Sequence, residues 1–426
     1  DNAAPQGAGV YGTEEGGHSP VLNLPTSADL HDNQALTDDG FGGGLYLRQG
    51  SISLSGCSDV YSNEALAGGG VYLITSTLTV DGSCSEINYN TSTGHGGGVY
   101  AQSSTVNLDE DAEIEYNAAG TGGSGSGGGA YLDASSLYSD KASINNNTAS
   151  SYGGGVYAVN GSRLDMDLGS YICLGPRCSR VYNNVATGGY GGGVYLNDST
   201  AWLDNTFVEN NWATVGGGLY AYQSNVYGNS VLFARNDSTS GTGDGIRLYT
   251  GATMAGQGNT FAYNESGGGS TGRAIDLSSA ELTLSCSIIW GHASSVDKAD
   301  QNVTYSDVQG GYAGSGNLNV DPQFVASGSA DYHLQSSSPV IDRCVVGPST
   351  DFDYERRPIV QGNPGTPYDM GADEFSTPRV GINGSGCIYG TIQQAVNGAG
   401  DGDTLQIAEG VHFENVDIQG KDVTLN

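Results

Sequence analysis

From residue 7 to about 277 the apolar positions come in short alternating bursts, such as Val71-Tyr72-Leu73 and Val156-Tyr157-Ala158. A period of two puts Val and Leu or Ala on one face of a strand and Tyr on the other. Gly and Asn bracket each burst, so the predicted strands are too short to close a core alone. A run of Gly-Gly-Gly-Φ-Tyr, with Φ apolar, begins at Gly42, Gly68, Gly96, Gly127, Gly153, Gly191 and Gly216, and Gly7-Ala8-Gly9-Val10-Tyr11 is a degenerate copy. Interleaved with it is Φ-x-x-Asn: Leu30/Asn33, Val60/Asn63, Ile87/Asn90, Ile114/Asn117, Ile144/Asn147, Val181/Asn184, Phe207/Asn210, Phe233/Asn236 and Phe261/Asn264. Successive asparagines of this series stand 26 to 37 residues apart.

Such a period means one coil of chain per repeat, and coils stacked at ~4.8 Å bury a continuous apolar interior. The expected fold is all-β, a parallel β-helix (solenoid) of about ten to twelve coils over residues 1–285. A β-propeller is excluded, because its ~40-residue blades need longer antiparallel strands joined by hairpins. In a stack, equivalent asparagines pass amide hydrogen bonds from coil to coil, glycines supply positive φ at sharp turns, and tyrosines form an outward ladder.

From Cys286 the period lapses, and residues 286–376 read as an irregular end module that seals the solenoid. Its marks are Ser287-Ile288-Ile289-Trp290, Tyr305-Ser306-Asp307-Val308, Asn319-Val320-Asp321-Pro322, Asp331-Tyr332-His333-Leu334 and Asp369-Met370-Gly371-Ala372-Asp373-Glu374. Residues 377–426 form a tail with a short helix from Thr391 to Val396 and strands at Asp403–Ala408 and Val423–Asn426. Val423-x-x-Asn426 is itself a Φ-x-x-Asn motif, and laid against the Gly7 run of another copy it completes a coil. The predicted junction therefore joins Gly7, Gly9, Val10, Tyr11, Val21, Leu22 and Leu24 to Thr391, Ile392, Val396, Leu405, Ile407, Val423, Leu425 and Asn426. Three arrangements supply such a neighbour: separate subunits stacked head to tail, one unit of a longer covalent array, or a chain truncated upstream of a second solenoid. A start at Asp1, without Met or a signal-peptide core, reads as a processed or excerpted mature segment.

The repeats resemble those of the chlamydial polymorphic outer-membrane proteins, with their Gly-Gly-Ala-Ile and Phe-x-x-Asn motifs, and more broadly bacterial right-handed parallel β-helix surface proteins of the pectin-lyase-like superfamily, which implies a right-handed coil here. The end module resembles the conserved end of secreted choice-of-anchor β-helix proteins. The tail is similar to the N-terminal cap of pectin-lyase-like proteins, here placed at the other end. The resemblance implies a bacterial or archaeal surface protein, and it says little of activity.

Composition narrows the function. Glycine numbers 70 of 426 residues without a G-X-Y period, which excludes collagen, and 37 % hydrophobic residues with 26 tyrosines exclude a disordered acidic tail. A formal charge of −32, with lysine only at Lys141, Lys298 and Lys421, repels nucleic acid and anionic lipid. No stretch reaches the ~18 apolar residues of a membrane helix. The seven cysteines and the sequons at Asn90, Asn146, Asn160, Asn197, Asn236, Asn264, Asn302 and Asn383, all glycosylation candidates, favour an extracellular or cell-surface setting.

Cys57 and Cys84 each precede a repeat Asn by six residues, so they should stack on adjacent coils within disulfide reach. Cys173 and Cys178 could close a tight loop, while Cys286, Cys344 and Cys387 leave the pairing open with one orphan. Enzymes on this fold use aspartates with a Lys or Arg base, or paired carboxylates; the best outward set is Arg163, Asp165 and Asp167, read as a solvated strand face. Gly268-x-Ser-x-Gly272 lacks a strand-to-helix context and is assigned no role. Ca2+ is conceivable at Asp351 and Asp353 or at Asp109-Glu110-Asp111. The expected function is a non-enzymatic extracellular filament, its partner a second copy, with glycans or a cell surface as further possibilities. The alternative is a carbohydrate-active enzyme or glycan-binding adhesin.

Overall fold

The computed structural model describes residues 4, 6–24, 26–37, 40–82, 84–109, 111–166, 179–264, 272–352, 357–359, 365–375, 380–382, 392–407 and 416–426. Three sheets of eleven parallel strands run along the solenoid, with a fourth of eight strands beside them. The tyrosine sheet runs from Val10–Thr13 to Ser294–Val296, the second from Val21–Leu24 to Asn302–Thr304, and the asparagine sheet from Leu30–His31 to Asp307–Val308. The number of coils is close to the expected ten to twelve, and the regular stacking runs past residue 285, where the period lapses in sequence, to Val308. Pairing is in register, so like stacks on like: Tyr72 lies between Tyr46 and Tyr100, and Ile87 between Val60 and Ile114. The inward positions merge into one apolar core from Leu45 to Val308.

The asparagines do what their spacing predicts. The residue before each turns the chain with a left-handed φ, as at Ser62 (54°), Tyr89 (53°) and Tyr116 (52°), and so directs the Asn side chain inward. Asn90 N–H and Nδ2–H both donate to Asn117 Oδ1, at 2.9 and 3.0 Å, and Asn117 repeats this onto Asn147. One position departs from the expected series. In Phe207-Val208-Glu209-Asn210-Asn211 the register stacks Val208 between Val181 and Phe233, so Asn210 takes the left-handed φ and Asn211 joins the ladder. Two adjacent asparagines offered two frames, and the smaller apolar side chain fills the core position.

The glycine runs serve two purposes. The first glycine turns the chain, with φ +64° at Gly96, whereas a Cβ on Gly98 would stand 2.7 Å from Gly129 O and 2.9 Å from Asn117 Nδ2. Outside, Tyr11, Tyr46, Tyr72, Tyr100, Tyr131, Tyr157, Tyr195 and Tyr220 stack face to face with centroids 4.6 to 5.6 Å apart.

The end module both covers the last coil and folds back along the outside. Val308 N–H bonds to Leu318 O and Ser306 N–H to Asn317 Oδ1, which continues the asparagine sheet by one irregular segment. The rest packs Phe324, Tyr332, Leu334, Val340 and Met370 onto Leu232, Ala234, Ala262 and Ile288, which form a second apolar cluster. These solenoid residues are outward positions of earlier coils, so the module lies along a flank as well as over an end. Cys286 and Cys344, left unassigned by sequence, form the disulfide that ties module to solenoid, with Cα atoms 5.8 Å apart. Arg357 pins the module internally: its guanidinium meets Glu374 at 2.9 Å and the carbonyls of Gly371 and Asp369 at 2.9 and 2.7 Å.

Asp307, in the last strand, is fully buried; Val320 N–H donates to its Oδ1 at 3.0 Å, and Oδ2 has no hydrogen-bond partner. Burial, with Asp321 nearby, pushes its carboxyl up to about 7. The folded state therefore holds a proton that the unfolded chain releases near pH 4. Its stabilising effect is complete below that pH and is lost as pH rises through about 7. Thermal melts from pH 4.5 to 8 are expected to show a falling melting temperature that Asp307→Asn flattens; an unchanged slope in the variant would remove Asp307 as its source.

The tail is a small unit of its own. Strand Thr404–Ile407 pairs antiparallel with Val380–Ile382 on one side and parallel with Thr424–Leu425 on the other. Helix Ile392–Gly398 packs Ile392, Ala395 and Val396 against Leu405. Lys421 Nζ donates to the carbonyls of Val396 and Asn397, both at 2.9 Å, satisfying acceptors at the helix C-terminus.

Candidate functional site: the head and tail of the solenoid

At the head, the strands Val10–Thr13, Val21–Leu24 and Leu30–His31 each pair on one side only among the described residues. Val10, Leu22, Leu24 and Leu30 point inward yet remain partly exposed, whereas their stacking partners Leu45, Ile52, Leu54 and Val60 are at most 2 % exposed. Tyr11 stacks one ring face on Tyr46 at 5.2 Å and stays 53 % exposed. The first coil thus presents an unfinished apolar layer topped by an aromatic ring with one face uncovered.

The other head residues of the predicted junction play different parts. Val21 pairs with Ser51 on the outward face and is 69 % exposed, so it lies beside the layer rather than in it. Gly7 and Gly9 build the coil: Gly7 turns it at φ +54°, and a Cβ on Gly9 would stand 2.9 Å from Asn33 Nδ2.

At the tail, Leu425 is 51 % exposed on the edge strand Thr424–Leu425, and Val423 is half-buried two residues before it. Leu425 pairs with the buried Leu405, which identifies Val423 and Leu425 as the inward positions of that strand. Ile392, Val396 and Leu405, expected at the junction, instead fill the tail's own core, with Ile407 and the partly buried Val423 packed against them. Thr391 lies outside the described residues. Asn426 is exposed and continues the strand, donating to Leu405 O and accepting from Ile407 N–H. It does not follow a left-handed residue as the ladder asparagines do, so Val423-x-x-Asn426 matches the repeat in letters and not in conformation.

The remaining candidates are placed as follows. Cys57 and Cys84 bridge adjacent coils with Cα atoms 4.5 Å apart, while Cys173, Cys178 and Cys387 lie outside the described residues. Arg163 bonds Asp165 at 2.5 Å and lies 4.0 Å from the centre of the Trp202 ring, so its guanidinium is committed to those two neighbours; Asp167 lies outside the described residues. Asp351 is fully buried and accepts from Glu374 N–H, and its proposed companion Asp353 lies outside the described residues, as does Glu110.

The sequons need correction. Asn90, Asn236 and Asn264 are fully buried with Nδ2 committed to the carbonyls of Val60, Val208 and Phe233, so a glycan there would break the ladder. Asn146 and Asn197 are half-buried, Asn160 and Asn302 are exposed, and Asn383 lies outside the described residues. Among the described residues, no helix is long and apolar enough to cross a membrane. Comparison with known protein families, curated proteins and solved structures found no match to this chain, so the parallel β-solenoid stands on its own strand pairing.

Proposed function

We propose that the chain is an extracellular structural protein that polymerises head to tail by β-augmentation. Strand Thr424–Leu425 of one copy adds to the free edge of Val21–Leu24 in the next, setting Val423 and Leu425 over Leu22 and Leu24. The observation that carries this reading is the matching alternation of incompletely covered inward apolar residues, Leu22 and Leu24 at the head and Val423 and Leu425 at the tail, on strands that pair on one side only among the described residues. Unpaired edges of this kind are managed by covering them, and a parallel stack is extended by another coil at the least cost in register. Two disulfides suit an oxidising compartment, and a charge of −32 keeps neighbouring filaments apart.

The tyrosine ladder weighs against the alternative of a glycan-binding face. Sugars stack on ring faces, and along the ladder those faces are occupied by the neighbouring tyrosines. Electron microscopy of native material, paired with a denaturing mass measurement, tests the proposal. Filaments built from chains near 43.6 kDa support it. Monodisperse particles of that mass would sink it, and a far heavier chain would turn the junction into a joint within one covalent array.

A further inference from the structure

The asparagine sheet carries a cluster that the proposed assembly does not use. Glu86 and Asn88 flank the inward Ile87, and on the next strand Glu113 and Glu115 flank Ile114. In-register pairing sets Glu86 directly against Glu113, a placement in which like charges repel. One carboxylate oxygen from each of Glu86, Glu113 and Glu115 lies within 4.8 Å of the others. Burial, aided by neighbouring carboxylates, pushes all three carboxyls above the ordinary range, that of Glu115 to about 7.

Asn88 adds an independent observation. It is 8 % exposed, and its Nδ2–H donates to Glu86 Oε2 at 2.5 Å. A carboxylate only accepts, so that bond decides which amide atom is which. The other amide atom, Oδ1, is buried without a hydrogen-bond partner. Carboxamide geometry keeps it within about 5 Å of the same Glu86 oxygen. Beside ionised carboxylates an amide oxygen finds no donor, and it is well suited to a metal ion.

We propose that Glu86, Asn88, Glu113 and Glu115 form a binding site for a hard divalent cation of the size of Ca2+. Ca2+ takes oxygens at about 2.3 to 2.6 Å, so opposite ligands stand about 5 Å apart, whereas the tighter Mg2+ octahedron draws them to about 4 Å. The three carboxylate oxygens lie within 4.8 Å of one another, a span that a Ca2+ ion can bridge. Bidentate carboxylates and water complete the six to eight ligands Ca2+ requires. Arg180, two coils along the column of Glu113, does not serve as the counter-charge: it is bound to Glu209 at 2.7 Å and stacked on Tyr182 and Phe207.

The test is titration of the EDTA-treated full chain with CaCl2, by calorimetry and by thermal melting. Ca2+ is expected to raise the melting temperature of the wild type more than Mg2+ does. Glu115→Gln and Glu113→Gln should each weaken Ca2+ binding at least tenfold. The Glu115→Gln protein without metal should melt no lower than the wild type, because repulsion is relieved, while its Ca2+-induced rise disappears; that combination separates loss of a ligand from misfolding. Equal effects of Mg2+ and Ca2+, retained in the variants, would overturn the site in favour of diffuse screening. An absence of Ca2+ binding by the wild type up to about 10 mM would overturn it as well.

Discussion

A full-length chain carrying Leu425→Asp is expected to remain monomeric where the wild type polymerises, and Leu24→Asp at the opposite end is expected to do the same. Each substitution sets a carboxylate into the apolar layer that the junction would close. Leu425 is 51 % exposed, and Leu24 is only partly covered, so neither variant loses a fully buried side chain in the monomer. In the junction, the lost apolar burial and the unpaired charge together cost about 3 kcal/mol or more, over a hundredfold in dissociation constant. The two variants block different ends, so their mixture should yield one species, a dimer joined through the intact tail of the Leu24→Asp copy and the intact head of the other. Removal of all residues after Phe375 should likewise leave a folded monomer, since the described tail packs its apolar residues into a cluster of its own. Sedimentation velocity of each variant and of the mixture is the measurement. Polymers persisting in either single variant would remove these strands from the mechanism.

The largest loss of stability is expected inside the asparagine ladder. Asn117 Oδ1 accepts two hydrogen bonds from Asn90, and its Nδ2–H donates to Ile87 O at 2.8 Å and Asn147 Oδ1 at 3.0 Å. Asn117→Ala would strand two buried donors on Asn90 and leave the Ile87 carbonyl short of a partner, in a layer closed to water. At about 1 to 3 kcal/mol for each buried unsatisfied group, the expected cost is about 4 kcal/mol. Asn117→Asp should not restore it, because a carboxylate still accepts from Asn90 but cannot donate to Ile87 or Asn147. In a stack, where each coil touches only its neighbours, the loss should concentrate locally. Hydrogen exchange should therefore quicken most between residues 87 and 147, with Asn160→Ala on the surface as the comparison. A cost below about 1 kcal/mol would show that the layer repacks or admits water.

The periodic part of the molecule was legible in the sequence for a physical reason. When every coil stacks in register on the last, a residue's neighbours are its equivalents in adjacent repeats, so spacing alone predicts contacts. That logic identified the inward faces, the asparagine and tyrosine ladders and the Cys57–Cys84 bridge. It also contained the acidic cluster, since Glu86-Ile87-Asn88 and Glu113-Ile114-Glu115 stand at one offset from Asn90 and Asn117. Within either strand the carboxylates are few and look like an ordinary solvated face, unlike Asp109–Asp111 or Asp351/Asp353; only adding the two coils together gathers three of them beside Asn88.

The rest required the tertiary structure. Whether Asn210 or Asn211 enters the ladder depends on which apolar neighbour fits the core. Whether a sequon asparagine is free depends on its place in the coil, which excludes Asn90, Asn236 and Asn264 and leaves Asn160 and Asn302 exposed. The Cys286–Cys344 bond and the folding of the end module along the flank join segments with no shared period, so no spacing rule could anticipate them. In the tail, Ile392, Val396 and Leu405 read as surface for a partner and instead satisfy one another. The repeating coil and the columns of side chains along it follow from the spacing of the repeats, because register makes their contacts translational; the end module and the tail core join parts of the chain that do not repeat, and only their packing decided them.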